Sequence, residues 1–245
     1  MSKEFLTYNR QMKYLRDHKN IICSGTCDKV LLVSSGYFNL VNGYKAPFSI
    51  GKDQNGNHIY LPGTTLQEMY ALKQFDDELR ILLFKYITIV EQEVRALSAY
   101  TFDNINHLKA LTWYSVNAYN TQKTTKVVSI ISKIYYDLSR SKHQYVKNYL
   151  ENHNAIPTWI MVKVISFSNL IDFIDLNKPI IKDNLCEMYS IKTDRRNDYK
   201  LLIGSLQWFR VIRNSCAHNE RVFEIKLPNE RILTPYFDLM APRAC

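Results

Sequence analysis

The chain has 245 residues, of which 46% are hydrophobic and only seven each are glycine and proline. This composition supports a sizeable buried core and argues against a loop-rich or all-β protein. Lysine and arginine exceed aspartate and glutamate by 32 − 23 = 9, which favours a polyanionic partner. Nucleic acid is the first partner that this excess indicates, although composition alone does not separate RNA from DNA or from an anionic membrane surface.

The sequence also predicts the compartment. The segment after Met1 is mixed and polar, unlike the apolar stretch of a signal peptide. The longest apolar run, residues 81–90, contains Lys85 and is too short to cross a bilayer. Cys23 and Cys27 have no second pair of Cys or His residues at zinc spacing. We therefore expect a cytoplasmic protein with free thiols, no membrane partner, no cofactor and no metal site.

Helical spacing of apolar residues dominates the chain. In chain order, helices are predicted over residues 5–19, 28–33, 66–100, 121–138, 144–152, 158–176, 179–189 and 198–219. Residues 46–63 are expected to be a short irregular insertion, with a small hairpin turning at Asn55-Gly56 as the alternative. The tail from Phe223 is predicted to be irregular. The fold prediction is all-α, a helical bundle with a long central helix, in a single domain over residues 1–245.

Two local signals mark where helices begin. Thr65 and Glu68 have the spacing of a capping box, which places the start of the long helix at Leu66. Pro157 has the position of a first helical residue for the predicted helix over 158–176.

The most informative stretch is Arg213-Asn214-Ser215-Cys216-Ala217-His218-Asn219. On a helix that turns about 100° per residue, one arc of roughly 140° carries cationic and polar residues and the opposite arc is apolar. The polar arc holds Arg210, Arg213, Asn214, Ala217, His218 and Arg221. A phosphate would fit between Arg213 and His218, over the small side chain of Ala217.

These residue types suit RNA cleavage without a metal ion. Arg213 would bind the phosphate and stabilise the charge that develops on it, and His218 would transfer a proton. Asn214, one turn before His218, would hydrogen-bond and orient the imidazole. Attack by the ribose 2′-OH would leave a 2′,3′-cyclic phosphate and a 5′-OH. The alternative is a histidine that caps a helix C-terminus, with Asn219 ending the helix.

The long helix has a polar stripe of its own, which includes Glu91 and Arg95. One interpretation is a solvated face with ion pairs at i, i+4 spacing, such as Glu91 with Arg95. The other is that Glu91 or Arg95 packs against the motif helix and positions His218 or RNA.

Residues 36–48 mix aromatic and basic side chains, and Tyr44 and Lys45 are adjacent. Aromatic rings beside cations can stack bases, so these two residues are candidate RNA contacts together with Arg210 and Arg221. The alternative is a loop that docks on the core through its apolar residues.

Four ordered segments together resemble a known family. They are Gly36–Lys45, Phe75–Arg80 with Glu91 and Arg95, Trp159–Leu176, and Arg213–Arg221. This pattern is similar to that of the Abi-like proteins, bacterial abortive-infection proteins of the AbiD/AbiF type, over about residues 30–225. The resemblance implies the all-helical HEPN superfamily, in many members of which an R-x₄-H motif is a metal-independent ribonuclease site. Arg213 and His218 match that catalytic pair, and Asn214 matches the polar residue after the arginine.

The sequence therefore predicts an endoribonuclease toxin that arrests phage-infected cells by cutting RNA. One motif supplies one histidine, whereas acid–base cleavage works best with two proton-transfer groups. A homodimer with a composite site is expected, and a protein or RNA antitoxin is a further expected partner. The alternatives are a non-catalytic RNA-binding or regulatory protein of the same fold and a DNA-binding regulator.

Overall fold

A computed structural model describes residues 5–54, 56–109, 111–153 and 155–225. Within these ranges the protein is helical with two small antiparallel strand pairs, which confirms the all-α prediction. The helices are α1 Tyr8–Lys19, α2 Gly25–Ser35, α3 Leu66–Asn106, α4 Thr124–Ser139, α5 Gln144–His153, α6 Thr158–Val164, α7 Phe167–Leu176, α8 Pro179–Met188 and α9 Tyr199–Ala217. The strands are β1 Ser49–Lys52, β2 His58–Tyr60, β3 Lys192–Thr193 and β4 Arg196–Asn197.

Two compact units share the chain, each with its own core. Among described residues, the first unit contains those up to Leu82 together with Asn219–Glu224, and the second contains Leu83–His218 and Ile225. The long predicted helix is confirmed as α3, which contributes residues 66–82 to the first unit and 83–106 to the second. None of the described helices is long and apolar enough to cross a membrane.

In the first unit, α3 begins where the sequence predicts, whereas α1 begins at Tyr8 and α2 covers Gly25–Ser35, not the predicted 5–19 and 28–33. The Thr65 hydroxyl accepts from the Glu68 N–H at 3.1 Å, and Glu68 Oε2 accepts from the Thr65 N–H at 2.8 Å, so the capping box opens α3. The insertion contains the β1–β2 pair, although Asn55 of its predicted turn lies outside the described residues. The core gathers apolar residues from α1, α2, a π-helical turn and the start of α3: Met12, Leu15, Leu32, Leu40, Val41, Leu66 and Met69.

A buried carboxylate ties residues 219–224 to this unit. Asp76 is fully buried, and its Oδ1 accepts from the N–H groups of Val222 and Phe223 at 3.1 and 2.8 Å. Its Oδ2 accepts from the Tyr44 hydroxyl at 2.9 Å and from Arg80 Nη1 at 2.8 Å. Since every acceptor position faces a donor, the cost of burying the charge is offset locally.

In the second unit, α4, α6, α7, α8 and α9 surround one apolar core with the C-terminal part of α3. The prediction of one helix over 158–176 is wrong, because Ile165 and Ser166 are extended (ψ 150° and 154°) and separate α6 from α7. Ser166 instead caps α7 through the Asn169 N–H at 3.2 Å. Pro157 is likewise the N-cap of α6 and not its first helical residue.

The motif helix α9 begins at Tyr199, where Asp198 Oδ1 accepts from the Leu201 N–H at 2.8 Å. One side of α9 packs into the core through Leu202, Leu206 and Ile212. Trp208, Phe209 and Cys216 are partly buried against the same core, which confirms the predicted apolar face. The helix ends at Ala217, with His218 as its C-cap and Asn219 in a left-handed conformation (φ 59°). Beyond residue 225, the predicted irregular tail lies outside the described residues.

Candidate functional site

Arg213 sits on the half-exposed side of α9, and its guanidinium reaches the surface. The side chain is 37% exposed, and its Nη1 donates to Asn214 Oδ1 at 3.2 Å. The buried Nε lies 3.5 Å from Glu91 Oε2, within ion-pair distance but without hydrogen-bond geometry. Nη2 has no hydrogen-bond partner among the described residues. The guanidinium is therefore held on one edge and has donors available on the other, as a phosphate site requires.

Glu91 is the residue that holds Arg213, and it lies on α3. It is nearly buried at 9% side-chain exposure, and its Oε1 accepts from Arg95 Nε at 3.2 Å and from Arg95 Nη2. The ion pair expected between Glu91 and Arg95 at i, i+4 spacing is confirmed. The expected solvated face is wrong in this turn, because the carboxylate lies between two guanidinium groups. Arg95 also donates from Nη1 to the carbonyls of Val162 and Ile165, which the break between α6 and α7 leaves available.

These residues line a cavity of about 1000 Å³ in the second unit. Five residues selected from the sequence contribute to its wall: Glu91, Arg95, Arg210, Arg213 and Asn214. We call it the arginine cavity. Arg210 donates from Nε to Gln207 Oε1 at 2.9 Å and keeps its charge near the cavity wall. Lys163 adds a fourth cation, whereas Glu91 and Asp103 are the only acidic residues among the described lining residues. The balance favours an anionic ligand.

His218 does not line the arginine cavity. It lies immediately after α9, is exposed, and its backbone N–H donates to the Asn214 carbonyl at 2.9 Å. Its imidazole makes no hydrogen bond to any residue in the described part of the chain, so the expected bond from Asn214 is absent. The Asn214 amide oxygen instead accepts from Arg213 Nη1. Neither Arg213 nor His218 is locked in the core, so both remain accessible to a ligand.

Two of the four residues proposed to contact RNA require correction. Tyr44 is only 4% exposed, because its hydroxyl donates to Asp76 and its ring stacks on Phe223 at a centroid distance of 5.7 Å. It therefore cannot stack a base in this conformation. Arg221 follows the end of α9, belongs to the first unit, and donates to the Gly43 carbonyl and to Glu224. It is therefore not part of the cationic face of α9.

Lys45 is half-buried and belongs to the first unit, and it is not among the residues that line the arginine cavity. Sequence reasoning missed Trp159, Lys163 and Asp103, which line that cavity. Trp159 opens one of the segments on which the family resemblance rests, but nothing in its spacing marks it as exposed. Asp103 and Lys163 carry no pattern that separates them from ordinary surface charges.

The described residues contain no group of three or more His, Cys, Asp or Glu side chains arranged to hold a metal ion. The described cysteines, 23, 27, 186 and 216, form no disulfide with one another.

Comparison with known proteins identifies the family to which the chain belongs. A family model described as "Abi-like protein" matches residues 30–224. No curated protein and no solved structure matches the chain. The matched range includes the four segments that carry the resemblance and all residues of the arginine cavity. Since the match spans most of the 245 residues, the chain belongs to the Abi-like protein family.

Proposed function

We propose that this protein is a metal-independent endoribonuclease of HEPN type that acts as a toxin in abortive-infection defence. Membership of the Abi-like family supports the defence role. The single observation that supports the chemistry best is the state of Arg213, a guanidinium anchored by Glu91 and Asn214 with Nη2 free at the edge of a cation-lined cavity. An arginine that served only to stabilise the fold would use its donors internally.

In this mechanism the ribose 2′-OH attacks the adjacent phosphorus and the 5′-oxygen leaves. Arg213 binds the non-bridging oxygens and stabilises the charge that builds on them. His218, exposed after the last turn of α9, transfers a proton to or from the reacting oxygens. The products are a 2′,3′-cyclic phosphate and a 5′-OH, and DNA is resistant because it lacks the 2′-OH nucleophile.

A homodimer would complete the site. One chain supplies one motif histidine, whereas cleavage needs a base at the 2′-OH and an acid at the 5′-oxygen. In the second unit, α3 leaves the apolar side chains of Tyr86 and Ile89 exposed on one side of the helix, a surface that a second copy could cover. A protein that is strictly monomeric in solution and still cuts RNA would contradict the dimer. Restraint by a protein or RNA antitoxin in the cytoplasm belongs to the same proposal.

The alternative is a non-catalytic RNA-binding protein of the same fold. One observation favours it specifically: His218 does not line the cavity that gathers Arg95, Lys163, Arg210 and Arg213. In that case the cavity binds RNA and Arg213 contributes affinity alone.

Analysis of the RNA ends separates the two functions. Purified full-length protein is incubated with RNA in EDTA, and the ends are mapped for wild type, Arg213→Ala and His218→Ala. If the protein is a nuclease, wild type should leave cyclic-phosphate ends, and both variants should cleave RNA at least about 100-fold more slowly. His218→Ala should still bind RNA. His143→Ala removes another exposed histidine and should leave cleavage unchanged. Intact RNA with wild type, bound tightly, would establish the alternative.

A further inference from the structure

A second cavity of about 420 Å³ adjoins the arginine cavity in the second unit, because Asp103 and Trp159 line both. Its wall is rich in rings, and we call it the aromatic cavity: His107, Trp113, Tyr114, Tyr149, His153 and Trp159. The two cavities therefore offer, side by side, a cationic space and an aromatic one. These two spaces match the two parts of a nucleotide, since its phosphate is anionic and its base is aromatic.

Trp159 stands between the two cavities with an exposed indole. It is 57% exposed and lies on α6, one turn before Lys163. Trp113, in contrast, is 2% exposed and donates from Nε1 to the Ile156 carbonyl at 2.6 Å, which makes it part of the core. A large ring left exposed beside cations is a platform on which a base can stack, and such stacking does not require a paired strand.

Asp103 supplies a hydrogen-bond acceptor beside this platform. Its Oδ1 accepts from the Thr158 hydroxyl at 2.6 Å, and its Oδ2 has no hydrogen-bond partner among the described residues. Burial raises the pKa of this carboxyl, while the bond from Thr158 lowers it, so an additional donor would relieve the desolvation. Of the four RNA bases, guanine presents adjacent N1–H and N2–H donors on its Watson–Crick edge. Uracil presents one N–H between two carbonyl acceptors, which a carboxylate repels.

We propose that the aromatic cavity is a base subsite for an unpaired guanine of single-stranded RNA. The guanine stacks on Trp159 and donates from its Watson–Crick edge to Asp103. The phosphate of that nucleotide then enters the arginine cavity next to Arg213. This inference rests on the proposed ribonuclease function and deepens it, since it assigns the substrate class and a sequence preference to the same site.

Binding by a non-cleaving protein tests the subsite without relying on catalysis. Full-length His218→Ala in EDTA is titrated into fluorescein-labelled oligouridine that carries one central guanine, and into the same oligonucleotide with inosine, which lacks the N2 donors. The guanine oligonucleotide should bind about tenfold more tightly. Introducing Trp159→Ala into the His218→Ala protein should weaken binding of the guanine oligonucleotide by about 5- to 100-fold, whereas Trp159→Phe should retain most of the affinity. Tyr136→Ala, which removes an exposed ring that lines neither cavity, should have no effect.

Asp103→Asn tests the base preference separately. Its amide can still accept from Thr158 but presents N–H groups to the guanine donors, so the preference for guanine over inosine should disappear. Affinity for plain oligouridine should not fall, because the substitution removes a negative charge from the cavity wall. Equal affinity of the parent protein for guanine and inosine oligonucleotides, no effect of Trp159→Ala, or no measurable RNA binding would each overturn the subsite.

The outcomes distinguish this proposal from the one on which it rests. If the guanine, Trp159 and Asp103 effects all appear but wild type leaves RNA whole, the subsite is supported and the nuclease proposal fails. If wild type leaves cyclic-phosphate ends at positions that depend on neither guanine nor Trp159, the nuclease stands and the subsite fails.

Discussion

Removal of Glu91 should lower the free energy of unfolding far more than removal of Arg213 does. The Glu91 side chain is 9% exposed and lies between Arg95, which is 15% exposed, and Arg213, which is 37% exposed. Glu91→Ala leaves the buried Arg95 guanidinium without its counter-charge, and the loss of one partner of a buried ion pair costs about 3–5 kcal/mol. Arg213→Ala removes one long contact of a half-exposed group, which costs about 0–1 kcal/mol.

Urea unfolding at pH 7, followed by tryptophan fluorescence and far-UV circular dichroism, measures this difference. Fluorescence reports on the second unit, because residues 113, 159 and 208, the three tryptophans of the chain, all lie there. Glu91→Gln is the matched variant, since it keeps the shape and one acceptor but removes the charge, and it should fall between the other two. RNA cleavage is then assayed in buffer without urea, under conditions in which every variant is folded.

The expected result is that Arg213→Ala unfolds almost like wild type and has lost cleavage, which identifies a side chain kept for chemistry. A loss of stability for Arg213→Ala equal to that of Glu91→Ala would refute the reasoning, since Arg213 would then be part of a structural ion-pair network. A loss below about 1 kcal/mol for Glu91→Ala would show that this carboxylate is not buried between the two guanidinium groups in solution.

Two further predictions concern the buried carboxylate of Asp76 and the half-buried carboxylate of Asp103. Asp76→Asn should lower the free energy of unfolding by about 2–4 kcal/mol and remove the hydrogen-exchange protection of the Val222 amide. Asp77→Asn, at a more exposed position, should lower it by less than about 1 kcal/mol. Equal effects of the two substitutions would contradict the burial of Asp76. Burial raises the pKa of Asp103, so stability is lost as pH rises from the ordinary aspartate pKa of the unfolded chain to the raised pKa of the folded protein. Asp103→Asn should therefore raise the Tm at pH 7 and give no advantage below about pH 3; a pH-independent difference in Tm would argue against this origin.

Elements specified by local signals were predictable. The capping box at Thr65, the apolar face of α9 and the presence of a long helix from Leu66 all follow from local spacing, and the structure confirms each one, although α3 continues to Asn106. The segments that carry the family resemblance could also be recognised from the sequence, because identifying short ordered motifs does not require knowledge of the packing.

Errors arose where a distant partner decides the local conformation. The break at Ile165 and Ser166 interrupts a helical pattern of apolar residues. There the Ser166 N–H donates to Asp137 Oδ2 at 3.1 Å, and Arg95 Nη1 donates to the Ile165 carbonyl. Tyr44 sits in a segment that looks suited to RNA, but a hydrogen bond to Asp76 buries it. None of these three partners is near in sequence to the residue it contacts, so no periodicity could have indicated them.

The sequence by itself determined the helical fold class, the order of most helices, the family and the two residue types from which a phosphate site can be built. It did so because these depend on local periodicity, on caps and on side-chain chemistry. Only the tertiary structure decided which charges are buried. Glu91 with Arg95 and Lys73 with Asp77 have the same spacing on α3, yet Glu91 is nearly buried and Asp77 is 32% exposed. Burial depends on what packs against each turn, and that contact sets both the cost of a charge and its availability to a ligand.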